Sequence, residues 1–135
     1  MLENDSVEYW LNELGTAQPL HTTLPTPGAP NELRQVELVA KQLKTPLLPW
    51  QRFFIRVITE LNEDGSYKYP NVLLTVPRQS GKTTAVRALL TTRALSNARR
   101  KAFLTAQTGR DARERLFELS EQLDSSSALG KTIKV

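Results

Sequence analysis

The chain has 135 residues with 39% hydrophobic and 24% charged side chains, enough for one modest core and typical of a water-exposed globular chain. No apolar run approaches the length of a membrane span, and the acidic start Met1-Leu2-Glu3-Asn4-Asp5 is unlike a signal peptide. The absence of cysteine excludes a disulfide framework and a thiolate metal site, and His21 stands alone in a proline-rich stretch, so it is read as solvated.

In chain order, Ser6 to Leu14 is the first helix candidate, with Val7, Trp10, Leu11 and Leu14 on one side and Gly15 closing it. The proline-rich stretch 16–30 reads as a linker or a strap over the surface. A second helix is expected from Glu32 to Leu43, where Leu33, Val36, Val39, Ala40 and Leu43 keep helical period. Pro46 and Pro49 interrupt the chain. The third helix is expected from Trp50 to Leu61, its core face formed by Trp50, Phe53, Phe54, Val57, Ile58 and Leu61. Residues 62–70 form a turn-rich connection with Asp64-Gly65 at its tip, and Tyr67, Lys68 and Tyr69 there are candidate contacts to a nucleic-acid strand.

The segment that follows carries the most information. Val72 to Val76 is apolar apart from Thr75, as a parallel strand covered on both faces would be, and Pro77 ends it. A helix is expected from Thr83, with Val86, Leu89 and Leu90 on its apolar face. The turn between them, ending in Gly81-Lys82-Thr83, places backbone N–H groups of residues 79–84 at the positive end of that helix, where an anion is favoured. In a phosphate-binding loop the Lys contacts the β- and γ-phosphates and the following hydroxyl holds Mg²⁺, which assigns those roles to Lys82 and Thr83. The usual G-x-x-x-x-G-K-[ST] pattern is incomplete, because Val76 stands at the first Gly position. A bare Gly-Lys-Thr turn also occurs on ordinary surfaces; the order strand, turn, helix favours the nucleotide.

A basic turn at Asn97 to Arg100 leads to a second expected strand, Lys101 to Thr105, and 131–135 is a candidate third. Thr108-Gly109-Arg110-Asp111 has the form of a capping box opening a last helix, with Ala112, Leu116, Leu119 and Leu123 as its buried line. The expected fold class is therefore α/β, a partial P-loop NTPase with a parallel βαβ core, preceded by N-terminal helices and a Pro-rich linker. Residues 1–44 form the helical segment with its linker, and 45–135 the front portion of the ATPase domain.

The loop Val76-Pro77-Arg78-Gln79-Ser80-Gly81-Lys82-Thr83-Thr84 resembles the deviant Walker A of the large terminase subunits of tailed phages. Leu47-Leu48-Pro49-Trp50-Gln51-Arg52 resembles that family's adenine-binding segment, and Phe103-Leu104-Thr105-Ala106-Gln107-Thr108 its second strand and loop. The resemblance covers about residues 45 to 120 and implies an ATP- and Mg²⁺-dependent motor that packages double-stranded DNA. It further implies a portal protein and a small terminase subunit as partners, a homo-oligomeric ring and the host cytoplasm. It gives Gln51 the adenine, and Gln79, Ser80, Gly81, Lys82, Thr83 and Thr84 the triphosphate. Thr83 takes the metal, Lys82 is catalytic, and Arg78 is an arginine finger acting in cis. The Walker B pair and a nuclease domain would lie beyond Val135, so these 135 residues are expected to bind nucleotide weakly and not to turn it over. The alternatives are a helicase-type ATPase fragment and a non-enzymatic prophage remnant.

Charge is uneven. Residues 1–50 carry three Lys/Arg against six Asp/Glu, whereas 51–135 carry fifteen against eight. Such a basic half is either a nucleic-acid footprint built on Arg87, Arg93, Arg99, Arg100, Lys101, Arg110, Arg113 and Arg115, or a solvated helical surface with pairs such as Arg110 and Glu114.

Overall fold

A computed structural model of the chain describes residues 5–96, 101–126 and 129. Five helices follow in order: α1 (Val7–Leu14), α2 (Leu33–Gln42), α3 (Pro49–Ile58), α4 (Lys82–Ser96) and α5 (Gly109–Asp124). Their ends are set by local chemistry. Ser6 accepts the Tyr9 N–H at 3.1 Å to open α1, and Gly15, at φ 53°, closes it. Pro49 occupies the first turn of α3, where its missing N–H costs nothing. Thr108 accepts the Asp111 N–H at 3.1 Å to open α5, as half of the expected capping box.

The expected α/β class is not what forms. Among the described residues there is no sheet: 72–76 and 101–105 join no ladder, and one isolated antiparallel bridge links Leu61 and Tyr67. An apolar run states a side-chain preference, but a strand exists only when a neighbouring backbone takes its N–H and C=O groups. Neither segment has such a neighbour among the described residues, and Leu73 and Phe103 are 92% and 83% exposed. The parallel βαβ core is thus replaced by helix-on-helix packing. The candidate strand at 131–135 and the basic turn at 97–100 lie outside the described residues.

The core forms where α1, α2, α3 and α4 meet, around Trp10, Leu14, Val36, Ala40, Phe53, Val57, Ala88 and Leu89. α4 lies against α2 with Ala85 and Ala88 buried, small residues that let the two backbones approach closely. Trp10 meets Phe53 edge-on at 6.4 Å between ring centroids. A smaller cluster unites Val39 on α2 and Leu43 just after it with Leu119 and Leu123 on α5, while Ala112 and Leu116 of the expected line are half-buried. α3 is buried more completely than its apolar stripe implies, because Gln51, Arg56 and the following Thr59 and Glu60 are buried too. It stops at Ile58 rather than reaching Leu61. The Leu61 N–H donates to the Pro30 carbonyl at 2.8 Å and the Glu60 carbonyl accepts from the Lys68 N–H at 2.9 Å, which turns the chain out of the helix.

The proline-rich stretch is a strap, held down by buried charge. Arg56, 1% exposed, donates from Nε and Nη2 to the Asp5 carboxylate at 2.7 and 2.6 Å, from Nη2 to the Thr26 carbonyl at 2.7 Å and from Nη1 to Glu60 at 2.8 Å. Glu60, fully buried, also accepts the Thr26 N–H at 2.6 Å. Burial opposes the charge on each group, and the hydrogen bonds and opposite charges around them outweigh it. The Arg56 pKa therefore lies above its ordinary value, and the Asp5 and Glu60 pKa values lie below theirs.

Candidate phosphate-binding site

The loop between Val76 and Lys82 turns sharply into α4. Gln79 and Gly81 both have positive φ, 60° and 92°, with Ser80 between them on the ordinary side. Such alternation swings successive backbone N–H groups towards one concavity, the arrangement that cradles anions. The Ser80 hydroxyl donates to the Pro77 carbonyl at 2.8 Å and braces the turn from within.

Gln51 holds the loop from behind. Its Oε1 accepts the Leu48 N–H at 2.7 Å, and its Nε2 donates to the Gly81 carbonyl at 2.8 Å. At 1% exposure it is spent within the chain, so the adenine edge expected of it is not presented here; it positions the loop instead. A Cβ at residue 81 would come within 2.7 Å of Gln51 Nε2, so Gly81 is required by contact as well as by φ.

In front of the loop lies a cavity of about 750 Å³, lined by Val76, Pro77, Arg78, Gln79, Gly81, Lys82 and Thr83 together with Gln107 and Arg115. Arg78, Gln79, Gly81, Lys82 and Thr83 from the expected set are thus brought together. Ser80 is turned to its own brace, and Thr84 is half-buried and outside the lining. Among the described residues no carboxylate lines the cavity, while three cationic side chains do. Among the described residues Arg78, Lys82 and Arg115 form no ion pair, whereas Arg87 pairs with Glu118, Arg93 lies 3.8 Å from Glu32, and Arg110 pairs with Glu114 at 3.1 Å. Cations left without internal partners around a concave backbone favour an anionic ligand.

Arg115 was legible only as one of several basic helical residues. Its Nη1 donates to Thr83 Oγ1 at 2.9 Å, which joins α5 to the start of α4. Gln107 likewise enters from the turn before α5. The expected contacts of the 67–69 segment to nucleic acid are not offered as anticipated. Tyr67 Oη donates to Glu32 at 2.9 Å with Arg93 stacked 4.2 Å over its ring, Lys68 binds Glu60 at 3.2 Å, and Tyr69 packs on the core. Arg99 and Arg100 lie outside the described residues.

For a metal, the described residues contain no group of three His, Cys, Asp or Glu side chains placed to hold an ion. The cavity lining offers the Thr83 hydroxyl and the neutral amide oxygens of Gln79 and Gln107 as hard donors. That donor set fits a Mg²⁺ ion brought in by a nucleotide and completed by water and phosphate, not one held by the protein alone. No helix among the described residues is long and apolar enough to cross a membrane. Comparison of the chain with protein-family models, curated proteins and solved structures finds no match.

Proposed function

We propose that the loop and cavity bind the triphosphate of ATP, and that the chain is the ATP-binding part of a phage terminase large subunit. The observation that carries this reading is the cavity at the start of α4, where Arg78, Lys82 and Arg115 converge with no carboxylate among the described lining residues. Lys82 binds the β- and γ-phosphates, and the backbone of Gln79, Ser80 and Gly81 follows the phosphate chain. Thr83 holds the Mg²⁺ that neutralises phosphate charge. Arg78, on the same wall, takes the arginine-finger role at the terminal phosphate. The loop sequence supports the terminase assignment, and with it double-stranded DNA, a portal protein and a small terminase subunit as partners in the host cytoplasm.

Calorimetric titration of the 135-residue chain with ATP and Mg²⁺ tests this reading. Saturable binding is expected, weakened at least about tenfold by Lys82→Ala, as loss of a charge-assisted contact to phosphate requires. A flat titration of a chain shown by circular dichroism to be helical would reject nucleotide binding.

A further inference from the structure

Thr83 Oγ1 is the oxygen that the nucleotide reading gives to Mg²⁺, and in this structure it accepts a hydrogen bond from Arg115 Nη1 at 2.9 Å. Arg115 arrives from α5, whose own anchorage is elsewhere: Leu119 and Leu123 pack against α2, and Arg87 on α4 reaches Glu118 and Gln122. The Arg115 guanidinium is exposed, has no carboxylate partner among the described residues, and lines the cavity beside Lys82. Four of its five N–H donors make no hydrogen bond there.

Resting on the nucleotide reading above, we propose that Arg115 and Mg²⁺ compete for Thr83 Oγ1, which makes Arg115 a positioning residue that reports the metal state of the nucleotide to α5. A dication and a guanidinium cannot share one hydroxyl oxygen without strong repulsion. With metal-free triphosphate, Arg115 keeps Thr83 and supplies positive charge to the phosphates. With the Mg²⁺ complex it leaves Thr83, and the phosphate charge it would neutralise is already met by the ion. Arginine suits this role because its fork of donors serves a hydroxyl and a phosphate oxygen from one position.

The test measures the affinity of the full 135-residue chain for ATP in EDTA and in excess Mg²⁺, for the wild type, Arg115→Gln and Lys82→Ala. Arg115→Gln is expected to weaken metal-free ATP about tenfold. It should leave the Mg²⁺ complex unchanged or tighter, so the advantage conferred by Mg²⁺ widens. Lys82→Ala should weaken both forms. If Arg115→Gln changes both affinities by the same factor, or neither, while Lys82→Ala still weakens both, competition at Thr83 is overturned and nucleotide binding stands. If the folded wild type binds ATP in neither condition, the nucleotide reading fails and takes this inference with it.

Discussion

Replacing Gly81 with alanine sets a methyl group against the amide that fixes the loop. Two costs arise, and they are separable. At φ 92° an L-residue is strained, by about 1–2 kcal/mol. The new Cβ would also lie 2.7 Å from Gln51 Nε2, the end of a side chain that is 1% exposed and hydrogen-bonded through both amide atoms. Displacing it breaks its hydrogen bonds to the Gly81 carbonyl and the Leu48 N–H, and a buried amide left unsatisfied costs about 1–3 kcal/mol. Gly81→Ala should therefore destabilise the chain by about 2–5 kcal/mol. In a Gln51→Ala background the clash is gone, and Gly81→Ala should cost only its backbone share, about 1–2 kcal/mol. Urea unfolding of the four proteins, followed by the fluorescence of Trp10 and Trp50, gives the cycle directly. A Gly81→Ala variant within about 0.5 kcal/mol of the wild type, or a cycle in which the two substitutions simply add, would refute the argument that Gln51 and Gly81 form one joint.

The buried charges predict an acid transition with a definite sign. Asp5 and Glu60 have folded pKa values below their ordinary 3.8 and 4.5, so their contribution is complete above those unfolded values and disappears as pH falls through the lower folded ones. The urea midpoint should hold steady down to about pH 5 and then drop. Glu60→Gln should lower stability at neutral pH by about 3 kcal/mol, because Arg56 keeps its burial and loses a partner, and should flatten the acid limb. Trp10→Ala should cost about 3–5 kcal/mol by emptying the α1–α3 contact and removing the donor to Asp5 at 3.1 Å, measured by the same unfolding assay. Leu73→Asp and Phe103→Asp, at exposed positions without strand partners among the described residues, should each change stability by less than about 0.5 kcal/mol; a loss of several kcal/mol at either would show that those segments are packed.

The helices were legible because period and punctuation agree in them. Ser6, Gly15, Pro49 and Thr108 mark ends where the structure places ends, and Val36, Phe53 and Leu119 lie on the faces their spacing implies. The strands were not, since the apolar runs at 72–76 and 101–105 carry no information about whether a second backbone lies beside them. Loop residues at the site could be read from a local motif, as Lys82 and Thr83 were. Arg115 and Gln107 come from chain distant in sequence: Arg115 was one basic residue among several and Gln107 one position of the 103–108 segment, and nothing local joined either side chain to the loop before α4. The same holds for the Arg56 hub, whose partner Asp5 lies 51 residues away, and for Gln51, whose amide is chemically fit for a base edge but is claimed by the Gly81 carbonyl.

Helix α3 carries two clasps on one rod. Arg56 grips the strap and the N-terminal segment, while Gln51, about 7.5 Å along the axis, grips the loop. Between them lies continuous helix, flanked by Phe53, Ile55 and Val57 locked in the core. Mechanically, a load applied near Asp5 reaches Gly81 through two hydrogen-bonded joints and a stiff lever, with no slack loop in the path. The front of this chain is thus geared to the loop that opens α4.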